Sequence, residues 1–358
     1  MRVALVTPVA LPTVRGNAVT VSRLQQGLAA RGVEAPVIDL SRTASASSRL
    51  AALAPDVVHA FHAFRGAPAA VPHAEALGAP LVITLTGTDA NHDLFHPERR
   101  ATTIASIRAA RALVVFHETI RERVARDVPE AADRIDVIPQ SVALGDEPYA
   151  GPAPPAGAPD EVRFLLPAGI REVKNVLFPL GPLRTLAARH PVRLLIAGPV
   201  IEPREGARLA AALASEAWAT YLGPVPHPQM GSLLDQVDVV VNSSLSEGGM
   251  ANSVLEAMAR GRPVLASDIE GNRSVIEPEV DGLLFRDAAE FERAAERLVR
   301  DAGLRRRLGV AARAKVSRLY PPEREITAHV ELYRRLLAGG RRPGGRRRAR
   351  DARMPPAS

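Results

Sequence analysis

The amino-acid sequence predicts an α/β fold made of two doubly wound, Rossmann-like domains that face each other. The chain has 358 residues, enough for about two domains because one domain usually takes roughly 100–200 residues. Short apolar runs alternate with longer helical patterns along both halves, which is typical of parallel sheets covered by helices on both faces. Residues 144–160 interrupt this alternation with five Pro and three Gly, so they predict a linker between the domains.

Six continuous apolar runs in the first half are predicted to be strands. The stretches between them carry apolar residues at three- and four-residue spacing, which indicates amphipathic helices such as 19–31 and 97–111. The predicted strands are 3–9, 36–40, 57–61, 81–86, 113–116 and 135–138.

The second half repeats this alternation. Strands are predicted at 162–166, 192–197, 237–242 and 263–266, and helices at 176–189, 204–216, 252–260, 287–318 and 322–338. We expect a first domain at 1–150, a linker at 151–161, a second domain at 162–320, a terminal helix at 321–338 and a disordered Arg-rich tail at 339–358. Ligands of such sheets bind at the carboxyl ends of the strands, so two facing sheets predict a cleft between them.

The positive charge of the chain is concentrated in the tail. The formal net charge is +7, and residues 339–358 hold seven Arg and one Asp, so the other 338 residues sum to +1. One possible function is therefore the binding of nucleic acid or of an anionic surface through this tail. We expect no specific nucleic-acid partner, but the Arg cluster at 341–353 allows a weak contact with an anionic membrane.

Several classes of protein are excluded by missing signatures. The chain has no Cys, which excludes disulfides, thiol nucleophiles and thiolate metal sites. It lacks the dinucleotide-binding Gly-rich fingerprint, the Walker motif, H-E-x-x-H and G-x-S-x-G, which argues against dehydrogenases, P-loop kinases, zincins and serine hydrolases. No charged-then-apolar leader follows Met1 and no apolar run approaches membrane-spanning length, so we expect a soluble, cytoplasmic protein.

The stretch 239–272 carries the most informative motif. An apolar strand is followed by Glu247 and then by small or short residues before a helix that contains Glu256. Such a junction leaves backbone N–H groups free to bind an anion, and Glu256 would accept hydrogen bonds from a ribose diol. The alternative is an ordinary strand-to-helix turn with two solvated glutamates. The candidate binding residues here are Gly248, Gly249, Met250, Ala251, Asn252 and Glu256.

A second candidate site follows the first strand of the second half. Arg171 and Lys174 lie three residues apart at this strand-to-helix junction, where they could clamp a diphosphate leaving group. The alternative is a pair of surface cations. Because the basic side chains comprise 44 Arg and only two Lys, the presence of Lys174 at this position favours a function.

Two further strand exits in the first half carry polar residues. Gly16 and Asn17 follow the first strand, where Gly16 would let the backbone approach a phosphate or sugar, the alternative being a loop turn and helix cap. Residues 84–93 gather two Asp and one His, with Asp89 as the candidate catalytic group and helix capping as the alternative. His59 and His62 flank a strand, and one of them is expected to be structural.

Together these residues resemble family 4 glycosyltransferases, which have the GT-B fold. That family carries Gly-Arg and Lys after the first strand of the second domain, then two Glu before Ala-Met-Ala-x-Gly-x-Pro-Val; here these segments read GIREVK and SEGGMANSVLEAMARGRPVLASD. The GNxVT, TGTD and IxGN segments are most similar to a subgroup of animal glycosyltransferase 1 domain-containing proteins and bacterial selenosugar synthases. Two differences are an extra residue between Glu247 and Glu256 and the insertion of Ile170 before Arg171.

The resemblance implies a nucleotide-sugar donor, UDP-linked in our interpretation, with retention of the anomeric configuration and neither metal nor cofactor. It implies that Glu256 holds the ribose, that Glu247 contacts the transferred sugar, and that Arg171 and Lys174 bind the diphosphate. The departing diphosphate would assist deprotonation of the acceptor, which binds the first domain, and the last helix would cross back to that domain. The acceptor stays open, with an inorganic nucleophile such as selenophosphate as the alternative to a small molecule or glycan.

Overall fold

The computed structural model describes residues 1–10, 16–43, 45–152, 158, 160–247 and 249–339. Three sequence-based predictions lie outside these ranges, namely the donor-binding role of Gly248, the disordered tail at 340–358 and the membrane contact of the Arg cluster at 341–353. Within the described residues, no helix is both long and apolar enough to cross a membrane.

The first half forms a six-stranded parallel sheet in the order β2-β1-β3-β4-β5-β6. Its strands are β1 Val3–Thr7, β2 Val37–Asp39, β3 Val57–Phe61, β4 Leu81–Thr84, β5 Ala112–Val115 and β6 Ile135–Val137. Its helices are α1 Gly16–Ala29, α2 Ala46–Leu53, α3 Ala67–Leu77, α4 Arg100–Ala109 and α5 Glu118–Asp127, with short helical turns at Asp89–Asp93 and Pro129–Arg134. The strands β1, β3, β4 and β5 are fully buried, because helices cover both faces of the sheet.

The second half forms another six-stranded parallel sheet, in the order β12-β11-β10-β7-β8-β9. Its strands are β7 Val162–Pro167, β8 Val192–Ala197, β9 Ala219–Gly223, β10 Val239–Asn242, β11 Val264–Ser267 and β12 Leu283–Phe285. Its helices are α6 Leu180–Ala187, α7 Pro203–Leu213, α8 His227–Leu234, α9 Asn252–Ala259, α10 Glu270–Arg273, α11 Ala288–Arg300 and α12 Ala302–Leu319, with a 3₁₀ turn at Glu172–Lys174. The predicted α/β class with two doubly wound sheets is confirmed.

Some element boundaries differ from the prediction. The sequence did not indicate β9 or β12, which are short edge strands. The region predicted to be helical at 287–318 contains two helices, because Asp301 ends the first and accepts a hydrogen bond from the backbone N–H of Leu304 (2.8 Å) to begin the second.

The last helix, α13 Pro322–Gly339, crosses back and packs against α1 of the first half. Its apolar residues Ile326, Val330, Leu332 and Tyr333 join the core beneath the first sheet. Polar contacts add to this apolar contact, since the buried guanidinium of Arg23 forms two hydrogen bonds with Glu325 (2.8 and 3.1 Å).

The segment that leaves the first sheet already packs against the second half before residue 151, where the predicted domain bounds begin the linker. The backbone N–H of Glu147 donates to Pro228 (3.2 Å), that of Tyr149 to Ser232 (3.1 Å) and that of Ala150 to Gln229 (3.1 Å). Residues 145–150, assigned above to the first domain, therefore bind α8 of the second half.

Candidate active site

A cleft lies between the two sheets at the carboxyl ends of their strands. In the first sheet, strand order reverses direction between β1 and β3, and in the second between β7 and β10. Such switch points are where doubly wound sheets open to bind ligands. The first half lines the cleft with Pro8, Val9, Gly16, Asn17, Val19, Thr20, His62, Arg65, Thr86, Thr88, Phe116 and Gln140.

Lys174 and Glu247 meet at the switch point of the second sheet. Lys174 follows β7, Glu247 follows β10, and the lysine ammonium forms an ion pair with the glutamate Oε1. Ser244 Oγ donates to the same oxygen (2.7 Å), as does Asn242 Nδ2 (3.4 Å). The sequence placed these two residues 73 positions apart, and parallel pairing of β7 with β10 brings them together.

Burial raises the pKa of Glu247, but the Lys174 charge and the hydrogen bonds from Lys174, Ser244 and Asn242 together outweigh it. The net pKa lies below the ordinary value for glutamate. Glu247 therefore stays ionised at neutral pH.

Hydrogen bonds join the loops that carry this pair. The backbone N–H of Leu245 donates to the carbonyl of Val173 (2.9 Å), and Ser243 Oγ lies 3.1 Å from the carbonyl oxygen of Lys174. Arg171 begins the same 3₁₀ turn and also lines the cleft. Both predicted diphosphate-binding cations are thus in the cleft.

The loop at 249–252 faces the first half at close range. A Cβ on Gly249 would lie 2.5 Å from the Phe116 ring, so only glycine fits there without displacing that ring. Gln140 Nε2 donates to the carbonyl of Met250 (2.8 Å), and Asn252 Nδ2 donates to the carbonyl of Gly16 (3.3 Å). Gly16, Asn17, Gly249, Met250, Ala251 and Asn252 all line the cleft, as predicted from the sequence for their location.

Glu256 also lines the cleft, one turn into α9, where His227 Nε2 lies 2.9 Å from its Oε1. His227 was not among the residues predicted from the sequence. Its local signal in the sequence is its place between prolines in PVPHP, a pattern that also fits an ordinary turn.

Comparison with known proteins assigns the chain to a family. Residues 162–301 match the family described as "Glycosyl transferases group 1", and residues 32–145 match "Glycosyltransferase Family 4". A Xenopus tropicalis protein described as glycosyltransferase 1 domain-containing protein 1 is 30% identical over 262 residues, which cover 71% of this chain and 76% of that protein. The chain belongs to the GT-B glycosyltransferases.

Two further proteins are similar to this glycosyltransferase. The D-inositol 3-phosphate glycosyltransferase of Nocardia farcinica is 31% identical over 196 residues, which cover 50% of this chain and 43% of that protein. The Anabaena protein HepE, solved in complex with UDP and glucose, has the same fold with a TM-score of 0.72 at 15% identity, covering 94% of this chain and 100% of that one.

Asp89 of this glycosyltransferase lies behind the cleft wall and not among the lining residues. Its carboxylate is fully buried and accepts backbone N–H groups from Gly87 (2.7 Å), Ala63 (2.9 Å), Ala90 (3.1 Å) and Thr86 (3.2 Å). These bonds join the loop after β3 to the loop after β4. The carboxylate thus holds these two loops together behind the wall of the cleft.

His62 and His59 divide as the sequence suggested, with one structural and one at the cleft. His59 is completely buried between the hydroxyl groups of Tyr333 (2.6 Å) and Thr84 (2.7 Å), and burial holds its pKa well below the usual range. His62 lines the cleft in a left-handed conformation (φ 75°). Its Nδ1 accepts from the backbone N–H of Arg65 (3.2 Å), so its ring proton lies on Nε2, 2.9 Å from Thr88 Oγ1.

Within the residues that this structure describes, no group of three His, Cys, Asp or Glu side chains is arranged to hold a metal ion. The expectation that the glycosyltransferase needs neither metal nor cofactor stays a prediction.

Proposed function

We propose that this glycosyltransferase moves a sugar from a UDP-linked donor to a small or glycan acceptor with retention of the anomeric configuration. The observation that carries the proposal is the Lys174–Glu247 pair at the switch point of the second sheet, beside the loop at 249–252. The HepE complex with UDP and glucose, which shares the fold, supports uracil as the base of the donor.

The leaving group determines what the site must supply. When the bond between the sugar C1 and the diphosphate breaks, negative charge develops on the phosphate oxygens, and preorganised cations and N–H groups stabilise it. Lys174, Arg171 and the backbone N–H groups of 249–251 are the candidates, because all of them line the cleft. In this proposal the diphosphate shares the Lys174 ammonium with Glu247.

Retention in this proposal requires no protein nucleophile. Both glutamates in the lining already have partners, Glu247 with Lys174 and Glu256 with His227. The acceptor oxygen would bond to C1 on the face that the diphosphate leaves, and the acceptor proton would pass to a departing phosphate oxygen. Asp89 would serve as a positioning residue for the loops of the first half.

A donor screen tests this proposal. The full chain is incubated with UDP-, GDP- and ADP-linked hexoses and a pool of acceptors, and nucleotide release and product mass are measured. We expect release of UDP and a product whose anomeric proton shows the configuration of the donor. Release of another nucleotide alone would contradict the UDP-linked donor. A product of inverted configuration would contradict retention.

The charge of the first-half wall favours an acceptor that carries an oxyanion. Arg65 is exposed in the cleft, and the described lining residues of the first half include no carboxylate. The related D-inositol 3-phosphate glycosyltransferase is named for a phosphorylated acceptor. The second candidate function is therefore transfer to an oxyanion, including an inorganic nucleophile such as selenophosphate.

Replacing Arg65 with glutamine should raise KM for an oxyanion acceptor about tenfold or more, because a hydrogen bond to a charged group contributes about 1.5–3 kcal/mol. The assay compares selenophosphate, thiophosphate and myo-inositol 3-phosphate with neutral myo-inositol. Arg49→Gln is the matched control, because it removes the same charge from the exposed face of α2. Use of neutral myo-inositol alone, or an unchanged KM in Arg65→Gln, would exclude the oxyanion acceptor.

A further inference from the structure

His227 sits on a rigid support. It lies in the segment 224–228, where prolines occupy positions 224, 226 and 228, and each proline fixes its own φ and restricts the residue before it. The backbone carbonyl of Pro228 accepts a hydrogen bond from Glu147 (3.2 Å). A Cβ on Gly145 would lie 2.7 Å from the Pro228 Cα, so the two backbones are in direct contact. The backbone that carries the imidazole is thus fixed by its own prolines and by its contact with residues 145–147.

The imidazole holds one oxygen of Glu256. The two side chains are 17% and 11% exposed, and Nε2 lies 2.9 Å from Oε1. An ionised carboxylate can only accept, so the histidine proton lies on Nε2 and is donated to the carboxylate. Among the described residues, no hydrogen bond reaches the second oxygen, Oε2, of this cleft-lining side chain.

We propose that His227 is a positioning residue for donor recognition, holding the Glu256 carboxylate in the orientation in which it accepts hydrogen bonds from the ribose hydroxyl groups of the donor. This inference rests on the proposed function, in which Glu256 binds the ribose. A long glutamate side chain has several rotamers, and fixing one of them before binding removes an entropic cost from recognition. His227 acts through Glu256 and does not need to contact the nucleotide.

The test compares binding of UDP with binding of 2′-deoxy-UDP and 3′-deoxy-UDP by titration calorimetry on the full chain. Wild-type protein should prefer UDP over at least one deoxy analogue by about tenfold or more, as expected for a lost hydrogen bond to a charged group. Glu256→Ala should remove this preference. His227→Ala should reduce it to within about twofold, and His227→Gln, which keeps an N–H donor, should restore part of it.

Two controls separate positioning from general damage. His190→Ala removes another second-half histidine that faces a glutamate, Glu296 at 3.7 Å, outside the cleft, and it should keep the full preference for UDP. The double variant His227→Ala/Glu256→Ala should show no further loss beyond Glu256→Ala alone, because both changes remove the same contact.

The outcomes distinguish the inference from the function on which it rests. If His227→Ala keeps the ribose preference while Glu256→Ala loses it, the positioning role is wrong and the proposed ribose site stands. If Glu256→Ala keeps the preference, the ribose site itself is wrong. GDP and ADP, each with its deoxy analogues, are titrated in parallel, since the ribose is common to all three. If none of these nucleotides binds, the proposed function and the inference both fail.

Discussion

Replacing Lys174 with alanine is expected to lower kcat by about 10²- to 10³-fold, the usual cost of removing one preorganised donor that stabilises developing negative charge. The ammonium is held at the switch point of the second sheet by Glu247, so it is already in place when the donor binds. The measurement is UDP release under saturating donor, followed with a coupled assay over time.

The same variant changes the state of Glu247. Burial raises the pKa of this carboxyl, and the Lys174 charge is the largest of the influences that lower it. Without Lys174, the pKa should rise, and any residual activity that needs ionised Glu247 should be lost at a higher pH than in the wild type. An acid limb that does not move, measured as kcat against pH, would show that Glu247 is not required in its charged form.

Lys315 provides the matched control for Lys174. It is the only other lysine of the chain, and its ammonium forms an ion pair with Asp281 (2.7 Å), neither residue lining the cleft. Lys315→Ala should lower stability, because it leaves a buried carboxylate without its partner, but should keep the turnover of folded protein. Equal losses of turnover in the two variants would contradict a specific role for Lys174.

Replacing Glu325 with alanine should destabilise the chain by about 3–5 kcal/mol, the usual cost of removing one partner of a buried ion pair. The side chains of Arg23 and Glu325 are 6% and 2% exposed, so the variant leaves a charged guanidinium without its carboxylate between α1 and α13. Urea unfolding followed by far-ultraviolet circular dichroism measures the change. Glu323→Ala, an exposed position on the same helix, should stay within about 0.5 kcal/mol of the wild type.

The contribution of the Arg23–Glu325 ion pair to stability should decrease as the pH falls. Burial raises the pKa of Glu325, but the Arg23 charge and hydrogen bonds outweigh it and lower the value from 4.5 to about 2. A folded-state pKa below the unfolded value gives stability that is present above about pH 4.5 and is lost as the pH falls towards 2. The advantage of the wild type over Glu325→Gln should therefore shrink by about 3 kcal/mol across that range. A constant difference would contradict the ion pair.

The sequence predicted those site residues that have a reactive or charged side chain and also lie at a recognisable strand-to-helix junction. Lys174 was conspicuous because lysine is scarce, and Glu247 and Glu256 flank a run of small residues between a strand and a helix. Parallel sheets bring strand exits to one edge, so these residues were expected to share a cleft before any distance was known.

Other parts of the site depend on contacts that no local pattern encodes. Gln140 follows β6 without a motif, yet it holds the carbonyl of Met250, 110 residues away. His227 is in a proline-rich turn, and only the fold brings it to Glu256. Asp89 has a residue type suited to catalysis, but its four backbone partners occupy the carboxylate. The edge strands β9 and β12 were not predicted, although each pairs with the strand that precedes it in the chain.

The binding of residues 145–150 to α8 has a mechanical consequence. The chain passes between the halves twice, once between Ser141, which is bonded to Glu325 (3.1 Å), and Gly145, and once at the entry to α13. Each passage has one end fixed to the first half and the other to the second. Because these two crossings lie close together, we expect any opening of the cleft to turn the halves about the line that joins them.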